Sequence, residues 1–288
     1  MKNIPSNKQI YKSKKDYLFC GDALEILRSI PSNSIDHCIT DPPYNISGYD
    51  HKKKIGWLQS NKMWTEKKNF SKINETWDKF SDDDYLQFTF DWITEIIRIL
   101  KPNGNIIIFG SYHNIYQIGF LLQKIDRKII NSIVWYKRNA FPNVTQRMLC
   151  ESTEHIIWAV NATKKKATKW KFNYKKLKSL NNNTQMRNMW DITTTPLSEK
   201  KHGKHPSQKP IELMGRLIIG ASDEGDTIID PFMGSGTLPV AARMLKRNFI
   251  GIDNNKKYCA LAIKRIKNYN EDKNEKQKQM QSLLQKFS

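Results

Sequence analysis

The tetrad Asp41-Pro42-Pro43-Tyr44 holds residue types suited to work on an exocyclic amino group. The amino nitrogen of adenine or cytosine is a poor nucleophile, because its lone pair is delocalised into the ring. A carboxylate accepting one amino hydrogen, and a carbonyl accepting the other, would draw that nitrogen toward tetrahedral geometry and free the lone pair. Asp41 supplies the carboxylate, and the Pro42 carbonyl is the natural second acceptor. Pro42 and Pro43 fix φ and bring no competing N–H. Tyr44 can stack on a base swung out of a duplex, as enzymes that act on bases require. The alternative is a proline-rich turn that carries an Asp and a Tyr by chance.

A second constellation begins at Asp230 and runs Pro231-Phe232-Met233-Gly234-Ser235-Gly236-Thr237 into an apolar, helix-like stretch. Gly234 and Gly236 would let backbone approach a bound nucleoside closely. Asp253, nineteen residues beyond Gly234, is spaced to hold ribose hydroxyls, with Asn254 beside it. A third glycine is missing, so the turn suits a nucleoside with an uncharged or cationic tail better than NAD. An ordinary tight turn, with Asp253 capping the next helix, is the competing reading.

Both constellations need strands to aim them. Apolar runs read as strands at Tyr17–Cys20, Ile35–Thr40, Asn105–Phe109, Ile129–Trp135, His155–Val160, Thr227–Asp230 and Phe249–Ile252. Between them, helices are expected at Asp22–Ser29, Asp82–Leu100, Asn114–Lys124, Ile211–Ala221, Thr237–Leu245 and Lys256–Asn268. Lys101-Pro102-Asn103-Gly104 stops the second of these. The alternation predicts an α/β fold: a doubly wound, mixed but mainly parallel seven-stranded sheet. Both constellations then fall at strand ends, where such sheets bind ligands.

Composition narrows the partners. The chain of 288 residues carries 48 Lys+Arg against 28 Asp+Glu, a net charge of +20. Polyanions are the natural partner of such an excess, although a lysine-rich soluble surface would look the same. The four cysteines are scattered, without zinc spacing, so neither a metal site nor a disulfide framework is expected. There is no long apolar run, and Met1–Lys15 is polar and lysine-rich. A cytoplasmic location is expected, with residues 1–15 an N-terminal extension and 271–288 a polar tail.

Two segments break the alternation. Gly48–Phe80 carries Trp57, Trp64 and Trp77 among lysines and reads as an insert. Asn161–Lys204 mixes Lys164, Lys165, Lys166, Lys169 and Lys175 with Trp170 and other aromatics. Cations suit phosphates and aromatics suit unstacked bases, so the second segment is expected to contact nucleic acid. Packing of those aromatics back onto the domain is the alternative.

Taken together, Asp-Pro-Pro-Tyr followed later by Asp-Pro-Phe-x-Gly-Ser-Gly-Thr resembles the β class of DNA amino-methyltransferases, in which the catalytic tetrad precedes the cofactor turn. The resemblance spans about residues 16–268 and implies a Rossmann-like methyltransferase fold. Residues 16–160 would form the catalytic half, 161–204 a target-recognition segment and 205–270 the cofactor half. S-adenosylmethionine is the implied cofactor, with no metal. Asp41, Pro42, Pro43 and Tyr44 would be catalytic. Asp22 would lie near the cofactor adenine, and Asp41, Asp230, Phe232, Gly234, Ser235, Gly236 and Thr237 would line its turn. Asp253 and Asn254 would meet the ribose, while Lys209 and Pro210, in His205-Pro-Ser-Gln-Lys-Pro210, would close the methionine end. Lys137, Arg138, Asn139 and Arg147 match the region around the target-base pocket and join the lysines above as expected DNA contacts. Asp rather than Ser at the head of the tetrad favours N6 of adenine over N4 of cytosine. A cysteine-dependent attack at the cytosine ring carbon lacks its Pro-Cys pair. A homodimer and a restriction endonuclease acting on the same double-stranded DNA site are the further partners such a protein implies. A non-catalytic nucleic-acid-binding module on a decayed fold is the rival from another class.

Overall fold

The computed structural model describes residues 6–45, 80–143, 146–203 and 205–271. The Gly48–Phe80 insert, except Phe80 itself, and the polar tail lie outside these.

Nine strands form one sheet in the order β1-β2-β9-β8-β3-β4-β6-β5-β7. They are β1 (Gln9–Ser13), β2 (Asp16–Cys20), β3 (His37–Thr40), β4 (Asn105–Gly110), β5 (Lys128–Tyr136), β6 (Thr153–Val160), β7 (Met189–Asp191), β8 (Thr227–Asp230) and β9 (Asn248–Asp253). β1 runs antiparallel to β2, and β6 is antiparallel to both its neighbours; every other pairing is parallel. The sheet is thus mainly parallel, as expected, but has two more strands than the sequence pattern gave. β1 lies in the stretch read as an extension. It is a polar edge strand with no fully buried residue, so it has no alternation to detect. β7 is three residues long and buries only Trp190.

Among the described residues seven α-helices cover the sheet: α1 (Ala23–Ser29), α2 (Asp82–Ile99), α3 (Ile115–Lys124), α4 (Tyr174–Ser179), α5 (Ile211–Ala221), α6 (Thr237–Met244) and α7 (Lys256–Glu271). The central strands are buried along their whole length because helices pack on both faces. Alternate residues therefore feed two cores. Ile39, Ile107 and Phe109 join Leu213, Leu217 and Ala241 on one side. Cys38, Ile106 and Ile108 join Ile26, Trp92, Ile93 and Ile96 on the other. α2 shows the local logic. Ser81 accepts from Asp84 N at 3.1 Å, and three aspartates sit in the first turn, favourable to the helix dipole.

Strand order reverses between β3 and β8. From β3 the sheet steps outward to β4, and from β8 it steps the other way to β9. The cleft of such a sheet opens at the carboxyl ends of these strands, which are Thr40-Asp41 and Asp230-Pro231. The expected strands and the first constellation's position therefore converge on the switch point.

Gly236 makes the turn after β8 possible. It is left-handed (φ 78°) at the N-cap of α6, and a Cβ there would stand 2.7 Å from Ala262 Cβ. Gly225 is also left-handed (φ 87°), with nothing within 4 Å of the same point. Gly236→Ala is expected to cost about 2–4 kcal/mol, from left-handed strain plus collision with α7, and Gly225→Ala only about 1–2 kcal/mol. Thermal denaturation of the pair tests this; equal losses would remove the collision from the account.

Candidate active site

At the carboxyl ends of β2, β3, β8 and β9 lies a cavity of about 370 Å³, within the size range of sites for small molecules and cofactors. Asp41, Pro42, Pro43 and Tyr44 line one part of it. Asp22, Asp230, Phe232, Gly234, Ser235, Thr237, Asp253 and Asn254 line the rest, with His205 and Lys209. Of the residues expected at a cofactor, Gly236 and Pro210 do not reach the lining. They act instead as N-caps of α6 and α5.

The glycine turn and Asp253 are tied to one another. Asp253 accepts from Gly234 N at 2.9 Å and from Asn255 N at 2.8 Å, so it fixes the turn while facing the cavity. Burial pushes its carboxyl up to about 6. Asp22 caps α1 by accepting from Glu25 N at 2.8 Å. Asp230 turns inward, accepting from Thr40 Oγ1 at 2.7 Å and Phe232 N at 3.1 Å, and burial pushes it up to about 7. His205 packs edge-on against Tyr258 at 4.2 Å between ring centroids. Burial and the neighbouring Lys209 lower its pKa to about 4, so it is neutral.

These residues decide what the cavity can hold. Among the described residues its lining has four aspartates, at positions 22, 41, 230 and 253, against Lys209 as the one lysine or arginine. That lysine is already committed to two carboxylates. Gln208 Oε1 is buried without a partner among the described residues. A nucleoside with a cationic, hydrogen-bond-donating tail fits this donor and acceptor set.

The tetrad is held in a buried charge cluster. Asp41 Oδ1 accepts from the Tyr44 hydroxyl at 2.6 Å, and Oδ2 from Lys209 Nζ at 2.6 Å. Lys209 also reaches Glu154 Oε2 at 3.2 Å, while Lys137 holds Glu154 Oε1 at 3.2 Å. Side-chain exposures are 18% for Asp41, 16% for Glu154 and 4% for Lys209. Burial raises the Asp41 carboxyl, and Lys209 counters part of that rise. Burial acts the same way on Glu154, but Lys209 and Lys137 together hold it below the ordinary carboxylate range. The Pro43 carbonyl accepts from Tyr85 at 2.7 Å. Among the described residues none donates to the Pro42 carbonyl, and Pro42 lines the cavity.

Lys209 lines the cavity, as expected, and its ammonium also pairs with the Asp41 carboxylate, because Asp41 and Glu154 are the acids its buried position offers. Lys137, expected at DNA, is likewise turned into the cluster, its side chain 12% exposed. Glu154 carried no expectation. The one available signal was a glutamate near the start of a strand, Thr153–Val160, whose last five residues are apolar and buried.

The expected DNA contacts divide between two ends of the sheet. Arg138 pairs with Asp191 at 2.8 Å, and Asn139 bonds Thr194 at 3.0 Å; both lie just past the carboxyl end of β5 and remain exposed or half-buried. Arg147 is exposed in the loop between β5 and β6. Lys164, Lys165, Lys166, Lys169, Trp170 and Lys175 follow β6, whose reversed direction delivers them to the amino ends of the parallel strands. Trp170 lies under Lys128 there, 4.6 Å from ring centroid to Nζ, at the start of β5. These six do not share the tetrad's side of the sheet. The reason is the antiparallel β6, which single-strand patterning does not reveal. Of the 161–204 segment, only the part after β7 returns to the cleft, where Thr195 donates to the Gln208 carbonyl. Among the described residues no cluster suited to a metal ion is present.

Comparison with known proteins agrees with this geometry. Residues 35–264 match the family described as DNA methylase, the N6/N4 methyltransferases. The Type II methyltransferase M2.DpnII of Streptococcus pneumoniae is 39% identical over 264 residues, 92% of this chain and 94% of that protein. The Type II methyltransferase M.HinfI of Haemophilus influenzae is 36% identical, over 86% of this chain and 67% of that one. The crystal structure of the M1.HpyAVI–SAM complex superposes with a TM-score of 0.61 at 29% identity, covering 86% of this chain and 98% of that one. The cytosine-N4-specific PvuII methyltransferase shares the fold, with a TM-score of 0.68 at 18% identity over 90% of this chain and 88% of that one.

Proposed function

The chain belongs to the DNA methylase family, and from that premise we propose that it methylates N6 of adenine within a specific sequence of double-stranded DNA. S-adenosylmethionine is the methyl donor; bound in the cavity, it supplies a sulfonium-borne methyl group open to in-line attack. The observation that carries this reading is the pair of acceptors at the end of β3, the Asp41 carboxylate and the unoccupied Pro42 carbonyl, beside an acid-rich nucleoside cavity.

The residues divide the work. Asp253 accepts from ribose hydroxyls, and Asp22 faces the adenine end. Phe232, Gly234 and Ser235 shape the turn, and the aspartates favour a cationic tail. Asp41 and the Pro42 carbonyl would accept hydrogen bonds from the two amino hydrogens, freeing the nitrogen lone pair for attack, and the extra amino proton would be lost once the methyl is transferred. Lys209 keeps Asp41 ionised despite its burial, so that it can accept. Most of the rate then comes from placement and fixed charge. Asp at the head of the tetrad supports adenine as the target. Arg138, Asn139 and Arg147, with the segment following β7, form the DNA face on the tetrad's side. The six basic and aromatic residues after β6 would meet DNA only beyond the opposite edge. An endonuclease cutting the unmethylated form of the same site, and a second copy of the chain, complete the reading; it rests on the resemblance to Type II methyltransferases. Among the described residues no helix is long and apolar enough to cross a membrane, and a DNA substrate supports a cytoplasmic location.

Transfer of labelled methyl from S-adenosylmethionine into unmethylated DNA, followed by nucleoside analysis, tests the proposal. N6-methyladenine is expected; N4-methylcytosine would overturn the base, and no label in DNA would overturn the substrate. For the cofactor site, Asp253→Ala is expected to raise the Kd for S-adenosylhomocysteine about 10- to 100-fold, the worth of a hydrogen bond to a charged group. An unchanged Kd by calorimetry would move the ribose elsewhere.

A further inference from the structure

Both oxygens of the Asp41 carboxylate are already occupied by short bonds, Oδ1 by the Tyr44 hydroxyl and Oδ2 by Lys209, each at 2.6 Å. In a largely buried site an incoming amino hydrogen must either share one of these oxygens through its second lone pair or displace the donor already there. Each donor has a second acceptor within reach, and it is the same atom. Glu154 Oε2 stands 3.3 Å from the Tyr44 hydroxyl and 3.2 Å from Lys209 Nζ. The partner oxygen, Oε1, is held by Lys137, so the carboxylate is fixed in place from the far side. Glu154 reaches this point because β6 runs antiparallel, with its first residues at the carboxyl ends of β4 and β5.

We propose that Glu154 is a positioning residue for methyl transfer: its Oε2 takes up the donor, Tyr44 hydroxyl or Lys209 ammonium, that Asp41 releases when the target amino group binds. The proposal rests on the amino-methyltransferase reading of Asp41. Without Glu154, a released Tyr44 hydroxyl would lose its second acceptor and Lys209 would keep only the long bond to the Ser207 carbonyl at 3.5 Å, so Asp41 would hold its own partners against the substrate. Glu154 would act only through Asp41, Tyr44 and Lys209.

The charged and titratable groups around Asp41 are Tyr44 on its own segment, Glu154 on β6, Lys209 before α5 and Asp230 on β8, with Lys137 behind Glu154. The Glu154 charge raises the Asp41 carboxyl. Removing that charge should therefore move the acid limb of kcat to lower pH, even as the plateau falls. Glu154→Gln is expected to lower kcat about 10- to 100-fold, the range found for supporting partners of metal ligands, and to shift the acid midpoint to lower pH. KM for DNA and the Kd for S-adenosylhomocysteine should stay within about threefold. A residue that merely holds the fold would change the melting temperature and leave the plateau kcat of the folded enzyme in place. If Glu154→Gln fails to fold, Glu154→Asp keeps the charge and withdraws Oε2 by one methylene; kcat should then fall with the acid limb unmoved. A kcat within twofold of wild type in the folded variant, or an unmoved acid limb in Glu154→Gln, overturns the proposal. A wild-type enzyme that methylates no DNA would instead overturn the function on which it rests.

Discussion

Asp41→Asn is expected to lower kcat about 100- to 1,000-fold while the Kd for S-adenosylhomocysteine stays within about twofold. Asparagine keeps the shape of the side chain and one carbonyl acceptor, but it lacks the charge that draws on the amino hydrogen as the nitrogen becomes positive. That charge matters only in the transition state, so the loss should appear in kcat and leave binding of the cofactor product alone. The isosteric change is the informative one. Asp41→Ala would also strip Lys209 of one of its two buried partners and would mix a folding defect into the kinetics. The pH dependence has a definite sign. Asp41 works ionised and its pKa is raised, chiefly by burial, so wild-type kcat should climb with pH through an acid limb above the ordinary carboxylate range. In Asp41→Asn this limb should vanish and the residual rate should run flat. Equal loss of catalysis and of S-adenosylhomocysteine binding in a folded Asp41→Asn protein would assign Asp41 to cofactor binding instead.

The sequence made Asp41 visible because its setting is local. A buried apolar strand, two prolines and an aromatic follow one another within a few residues. The glycine turn was legible for the same reason, and Asp253 through a fixed spacing across one strand–helix–strand unit. Elements with strong periodicity, such as α2 and α5, lie within a residue or two of where the pattern placed them. What stayed hidden depends on long-range pairing. Glu154 and Lys209 are 55 residues apart in the sequence yet share an ion pair, and only the reversed strand β6 brings them together. The same reversal carries Lys164–Lys166 to the far edge of the sheet, although in sequence they look continuous with the cleft residues around Lys137. β1 and β7 were missed because edge strands bury too little to impose alternation. Composition reported an affinity for polyanions; it could not say which edge of the sheet would face them.

Lys209→Met is expected to destabilise the fold by about 3–5 kcal/mol near neutral pH, through the charges it leaves behind. Methionine fills a similar volume, so packing against Tyr44 and Phe109, whose rings lie 5.2 and 5.6 Å from the ammonium, is largely kept. The electrostatics are not. Asp41 and Glu154 would face each other in a buried site with Lys137 alone to offset them, and that lysine reaches only Glu154. For a chain of this size the loss corresponds to a fall in Tm of about 10 °C. Its pH dependence separates charge from packing. In the wild type, Lys209 and Lys137 hold Glu154 below its ordinary pKa, so that its contribution is present above the unfolded value and fades as pH falls. Without Lys209 both carboxyls are raised, and a raised carboxyl favours the fold at low pH and opposes it once ionised. The Tm gap between Lys209→Met and wild type should therefore be widest near pH 7–8 and narrow as pH is lowered toward 5. Adding Glu154→Gln to Lys209→Met removes one of the two opposed charges and should restore part of the lost Tm. A gap that stays constant with pH, or a double variant less stable than Lys209→Met, would mean that Lys209 holds the site by shape rather than by neutralising the acids around it.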